Sequence, residues 1–344
     1  MRRLKYNQAI SEATVQCMER DPTVFVAGIG VKDPGGIFGT TEDANIRFPD
    51  RVHDIPNCEN AFAGITIGAA AMGKRPLVVH PRNDFMFLTT DMLINLAAKW
   101  KYMYQNGSSV PVVTRGIVGR GWGQGATHSQ STHALFGHFP GLYVATPAFP
   151  SDVKGLLVSA LTGDVPVIIL ENRAVYSLED TVPEEPVAIP FGKGRIVREG
   201  SDVTIVGASL MAYEATRAAA ILSEQHGVSA EVIDPRSIRP LDEEIILRSI
   251  AKTRHLVVAD TSWATYGFAA EVAAVASEKG FADLQAPVKR VTLPDSPAPV
   301  SKSLEDVFHP TPVSIAQACL DVLRADVQVT SHLRDVQEAF AGPY

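Results

Sequence analysis

A chain of 344 residues, 46% apolar and 20% charged, has the balance of a soluble globular protein long enough for about two domains and a large core. Its formal net charge of −7 and pI near 5.7 argue against a nucleic-acid partner and against an anionic membrane surface, since phosphate neutralisation needs a basic stripe. No apolar run reaches the roughly 20 residues of a bilayer span, and the polar start lacks an apolar signal core, so the expected compartment is the cytoplasm. Cys17, Cys58 and Cys319 have no CxxC spacing and give neither a disulfide framework nor a zinc site; for Cys58, beside Glu59, the alternatives are a reactive thiol and burial, and burial is the expectation.

Apolar runs bounded by Gly, Pro or Asp alternate with amphipathic stretches. Residues 23–27, 77–79, 110–114, 142–146 and 165–170 read as buried strands, with helices at 8–20, 59–72, 90–104 and 151–162 between them. That alternation predicts an α/β fold, a parallel sheet with helices on both faces. The stretch 175–195 is rich in Pro, Glu and Gly, has no period, and reads as a linker. A second α/β series follows, with strands at 203–207, 229–234, 255–260 and 288–292 and helices at 211–224, 241–253 and 267–279. The last twenty residues read as an appended amphipathic helix with a tail.

Several partial motifs carry little. Gly28-Ile-Gly30 opens like a dinucleotide fingerprint, but Asp33 stands at its third glycine position. Ser209 misses the GxSxG pattern because Met211 closes it, and reads as an ordinary helix-entry serine. His128, His133 and His138 recur every five residues, which points them in different directions on a helix and argues against a metal site.

Two segments point to chemistry. The run Asp54-Ile-Pro-Asn-Cys-Glu59 heads a stretch of small and apolar residues, a costly place for a charge unless Glu59 has a task or caps the following helix behind Asn57 or Cys58. The segment from Gly119 to Gly125 places glycine at alternate positions and delivers His128, a group that titrates near neutrality. A structural histidine bonded to Ser129 or to a backbone carbonyl is the alternative there.

Asp54 to Gly64, taken with His128-Ser-Gln-Ser131, resembles the β subunit of the thiamine diphosphate-dependent 2-oxo acid dehydrogenase E1 component, of the pyruvate, branched-chain and acetoin kinds. The similarity runs from about residue 4 to 324, through 91–99, 136–142, 186–193 and 234–242. It implies two parallel-sheet domains: a pyrimidine-binding domain over 1–175, a linker over 176–198, a transketolase C-terminal domain over 199–324, and an extension over 325–344. Residue by residue, Glu59 matches the glutamate that shares a proton with N1' of the cofactor's aminopyrimidine, Phe85 the aromatic against that ring, and His128 the active-site histidine.

The family's GDG motif, which holds diphosphate and Mg²⁺ through oxygen ligands, is absent, so the resemblance implies an α subunit carrying it and an α2β2 assembly. A potassium site of carbonyl oxygens is implied at Ala160, Leu161 and Gly163, although the usual acid is displaced by one place, to Asp164. Asn60 after the glutamate and Arg82 before the Asp84-Phe85 pair depart from the family's small or apolar residues, and imply a more polar substrate pocket or subunit contact. The implied activity is decarboxylation of a 2-oxo acid and acyl transfer to the lipoyl group of an E2 acyltransferase. Alternatives are a two-component transketolase or acyloin-type carboligase with an aldehyde acceptor, and a non-catalytic scaffold, against which the retention of Glu59 and His128 argues.

Overall fold

The computed structural model describes residues 2–104, 108–119, 123–325 and 327–330. The chain forms two compact units, one of Met1–Gly119 with Leu135–Phe191, the other of Arg120–Ala134 with Gly192–Tyr344.

The first unit holds β1 (Arg2–Lys5), β2 (Val24–Gly28), β3 (Val52–Asp54), β4 (Arg75–His80), β5 (Val113–Val118), β6 (Tyr143–Ala145), β7 (Val167–Asn172) and β8 (Glu179–Val182). Within it the order β6-β7-β5-β4-β2-β3 is parallel throughout. Strands β5 and β7 are buried at every position, which is why their sequences show no polar–apolar alternation. Arg115 on β5 nevertheless points into the protein. It is matched by Glu171 on β7 and by Thr40, beside Tyr6 at the start of the helix Tyr6–Arg20. Gly116 faces the other way, and Leu170 and Asn83 leave no room there for a Cβ, at 2.9 and 3.1 Å from where one would stand. The segment Asn83–Thr89 therefore lies directly on the sheet face opposite Arg115, and the helix Glu59–Ala71 packs against it.

Residues 90–104, expected as one helix, form a π turn over Asp91–Ala97 and a short helix over Trp100–Met103. The cause is visible in the bond from Ala98 N–H to Leu93 O, 2.9 Å long and five residues back. Leu93, Ile94, Ala97 and Ala98 are buried, a spacing that also fits a 3.6-residue period, so the pattern reads as an ordinary helix. Part of the stretch 175–195 is also regular. Strand β8 pairs antiparallel with β1, from Arg2 opposite Val182 to Lys5 opposite Glu179.

The second unit contains β9 (Arg195–Arg198), β10 (Val203–Gly207), β11 (Ala230–Asp234), β12 (Ser237–Arg239), β13 (Leu256–Trp263) and β14 (Lys289–Leu293). Its five-stranded sheet runs β14-β13-β10-β11-β9, parallel except for the edge strand β9. One core packs Ile233 and Val258 against Ile246, Ile250, Phe268 and Val272 from the helices Glu243–Thr253 and Phe268–Lys279. Asp242 caps the first of these, accepting from Ile245 N–H at 3.3 Å, a bond worth about 1 kcal/mol.

Two helices at Lys302–Phe308 and Pro312–Val322 are additional to the sequence reading. Thr311 and Ser314 close a reciprocal capping box at the second, at 3.1 and 2.9 Å. Ser209, as expected, stands at a helix entry, before Leu210–His226, but with φ 56° and ψ −133°. Of the expected C-terminal extension, residues 327–330 run beside the last helix, where Val329 N–H donates to Gln317 Oε1 at 2.9 Å. The amphipathic stretch beyond residue 330 lies outside the described residues.

Candidate active site

In open α/β sheets ligands bind beyond the carboxyl ends of the parallel strands. Glu59 follows the end of β3, and the segment from Pro81 to Phe85 follows the end of β4. The helix Glu59–Ala71 starts behind Cys58, which takes the N-cap position and makes no side-chain cap bond. Glu59 is the first residue of the helix and is only 8% exposed. No donor among the described residues bonds its carboxylate, so the side chain does not serve as a cap and rests beside the partial positive charge of the helix start. Cys58, expected to be buried, is half-buried, while Cys17 and Cys319 are buried. Cys58 takes the N-cap position, outside the helix Glu59–Ala71.

Arg82 precedes a 3-10 segment, Asn83–Thr89, instead of continuing β4. The alternation of a strand, which would send Arg82 and Phe85 to opposite faces, thus does not apply. Asn83, Asp84 and Met86 are buried, and Phe85 stands out of the segment, 38% exposed. Asn60 is exposed on the helix surface one residue beyond Glu59. Arg82 is half-buried and donates from Nη1 to Pro81 O at 2.9 Å. Burial lowers its pKa, and the charge of Asp84 offsets part of that.

Two residues of this neighbourhood escaped the sequence reading. Arg173, just after β7, is buried over the ring of Phe38 at 3.9 Å, and its pKa is lowered first by burial and then by the charge of Arg82. His80, the last residue of β4, pairs in register with Gly116 and so shares the sheet face covered by Asn83 and Met86. It is 3% exposed, no described residue bonds its ring, and burial holds its pKa down at about 4. The readable signal was a histidine closing an apolar strand, and an arginine closing another.

His128 belongs to the second unit and is half-buried. Its Nδ1 meets Thr127 Oγ1 at 2.9 Å, which orients the ring, and its N–H reaches Gly125 O at 3.4 Å. Gly125 has φ +63°, and a Cβ there would lie 2.7 Å from Val300 Cγ2. Gly125 thus lies directly against Val300. Residues 120–122 of the glycine-rich run lie outside the described residues.

At the carbonyls expected to hold potassium, Arg75 stands in place. Its Nη1 donates to Leu161 O at 3.2 Å and to Gly163 O at 2.6 Å, and Nη2 reaches Asp164 at 3.4 Å. A cation bound to those oxygens would need the guanidinium to withdraw. No cluster of three or more His, Cys, Asp or Glu side chains suited to a metal occurs among the described residues.

Comparison with known proteins supplies the frame. Residues 2–178 match the pyrimidine-binding domain of transketolase, and residues 192–315 match the transketolase C-terminal domain. The chain is 40% identical over 333 residues to the β subunit of acetoin:2,6-dichlorophenolindophenol oxidoreductase of Cupriavidus necator, covering 94% of this chain and 98% of that one. It is 40% identical to a mitochondrial pyruvate dehydrogenase E1 β subunit of Oryza sativa subsp. japonica, covering 90% of this chain and 84% of the relative. Against the 2-oxoisovalerate dehydrogenase β subunit of Bacillus subtilis the identity is 37%, over 92% and 97%. Among solved structures, a split-gene transketolase described as an inactive β4 tetramer superposes with a TM-score of 0.74, at 23% identity and over 94% of this chain and 99% of its own, a likeness of fold. The chain belongs to the family of β subunits of the thiamine diphosphate-dependent 2-oxo acid dehydrogenase E1 component.

Proposed function

We propose that Glu59 is the acid that shares a proton with N1' of thiamine diphosphate, in a β subunit that, with an α partner, decarboxylates a 2-oxo acid and passes the acyl group to a lipoyl acceptor. The observation that carries this reading is a glutamate only 8% exposed as a residue, with no protein donor on its carboxylate among the described residues, fixed at the first position of a helix. A buried acid in that state needs a partner, and a ring nitrogen that shares its proton is one. The residues present therefore fit the pyrimidine half of the cofactor. When bound, the cofactor supplies the electron sink for loss of CO₂. Glu59 holds the shared proton, the outward ring of Phe85 forms a flat wall, and His128, with Nδ1 engaged by Thr127, moves a proton at the acceptor.

The other half of the site, with the GDG motif and Mg²⁺, falls to the α subunit in an α2β2 assembly. In favour of a partner on this face, Ile65 is 66% and Met72 84% exposed on the Glu59 helix, and Phe87 and Leu88 stand out of the neighbouring segment. The donor is larger or more anionic than pyruvate, since two guanidinium groups, Arg82 and Arg173, feel each other's charge and suit carboxylate or phosphate oxygens. The same polarity fits an aldehyde-accepting carboligase. Potassium at Ala160, Leu161 and Gly163 belongs to this proposal only if Arg75 moves aside.

The test is reconstitution with the α partner. Glu59→Gln abolishes turnover while the circular dichroism spectrum stays unchanged, because an amide cannot share the proton. Retained turnover in that variant sinks the assignment. Acylation of a lipoyl domain by the wild-type pair supports the dehydrogenase, and product formed only with aldehydes supports the carboligase.

A further inference from the structure

Immediately after His128 the chain makes two side-chain contacts with consecutive residues of β13. Ser131 Oγ donates to Thr261 Oγ1 at 3.0 Å, and His133 Nε2 meets Asp260 Oδ1 at 2.8 Å. Both pairs are buried, and all four residues belong to the second unit. Asp260 is itself immobilised. It accepts from Ser262 N–H at 3.1 Å, from the Ser262 hydroxyl, and from Ala269 N–H at 3.3 Å in the first turn of the helix Phe268–Lys279. An ionised carboxylate only accepts, so the ring of His133 donates through Nε2. The edge of that ring also meets Phe268, centroids 6.4 Å apart.

We infer that His133 and Asp260 are positioning residues for His128: a buried clamp, backed by Ser131 and Thr261, that makes the C-terminal unit the support of the acyl-transfer histidine. The inference rests on the reading of His128 given above. Five residues separate His128 from His133, and the far end of the intervening segment is fixed at two alternate positions. Before His128, Gly125 lies against Val300 of the same unit. The histidine therefore sits between two anchored points of the same unit, and a shift of about 1 Å in such a group is enough to cost a large part of a rate.

The experiment uses the reconstituted holoenzyme and separates decarboxylation, followed with an artificial electron acceptor, from acylation of a lipoyl domain. His133→Phe keeps a ring of similar bulk and removes the donor, while His133→Gln restores an N–H of similar reach. The expected result is that His133→Phe slows acyl transfer about tenfold or more with decarboxylation changed by less than about twofold, and that His133→Gln recovers most of the loss. In a His128→Ala background His133→Phe should add less than about twofold, since both act through one group. Equal loss in both half-reactions, or full additivity with His128→Ala, overturns the inference, because that is how a residue that merely holds the fold behaves. Should His128→Ala leave acyl transfer intact, the reading of His128 fails, and the clamp is judged separately by hydrogen exchange. Lost protection across 123–131 in His133→Phe then retains the clamp, and unchanged protection discards it.

Discussion

Arg115 and Glu171 meet at two points with neither side chain exposed, Nε to Oε1 at 2.5 Å and Nη2 to Oε2 at 2.8 Å. Tyr176 adds its hydroxyl to Oε2 at 2.6 Å, and its ring stacks on Tyr6 with centroids 5.6 Å apart. The pair joins β5 to β7 on the sheet face opposite the segment Asn83–Thr89.

Breaking that pair leaves a guanidinium buried without its counter-charge, which costs about 3–5 kcal/mol. Glu171→Ala should lower stability by that amount in urea unfolding of the first transition. A loss below about 1 kcal/mol would show that the pair merely tolerates burial.

His80 makes stability depend on pH. Its pKa falls from 6.5 to about 4 on burial, so between these values the unfolded chain binds a proton that the folded chain refuses. Stability therefore rises with pH across that window. The destabilisation is absent above 6.5, grows as pH falls, and is complete below about 4, at about 3 kcal/mol. His80→Phe should flatten this limb, read as thermal midpoints from pH 4 to 7. An unchanged slope would place the titration elsewhere.

The role proposed for Arg82 is donor choice. Replacement by Phe should reduce activity towards anionic or hydroxylated donors and raise it towards simple aliphatic oxo acids by about tenfold, near 1.4 kcal/mol of transition-state discrimination. If every donor falls together and the assembly weakens, Arg82 serves the subunit contact.

Cofactor binding should require two chains. Calorimetry of the isolated chain with thiamine diphosphate and Mg²⁺ should give no appreciable heat, and mixing with the α partner should create tight binding. Micromolar binding to the chain alone contradicts the division of the site.

The parallel strands were legible because a strand covered on both faces is mostly apolar without alternation, as in residues 167–170 of β7 and 205–206 of β10. Strand β8 was hidden because its partner β1 lies at the other end of the first unit, and a pairing so distant leaves no local period. The π turn was hidden because its buried positions also fit an ordinary helical period, and the helix Lys302–Phe308 because it is only 7 residues long. At the candidate site, the burial of Glu59 followed from its apolar surroundings. Arg173 did not stand out, and His133 was weighed only as a metal ligand, because the residues that give them meaning, Arg82 and Asp260, are remote in sequence.

The face that bears Ile65 and Met72 also says something about the life of this chain outside an assembly. A helix rich in small residues, with large apolar groups bared beside Phe87 and Leu88, is adhesive from the moment it folds. A molecule released without its counterpart will gather with copies of itself or be taken up by chaperones and proteases. Its cellular abundance should therefore track the supply of the second chain more closely than its own rate of synthesis.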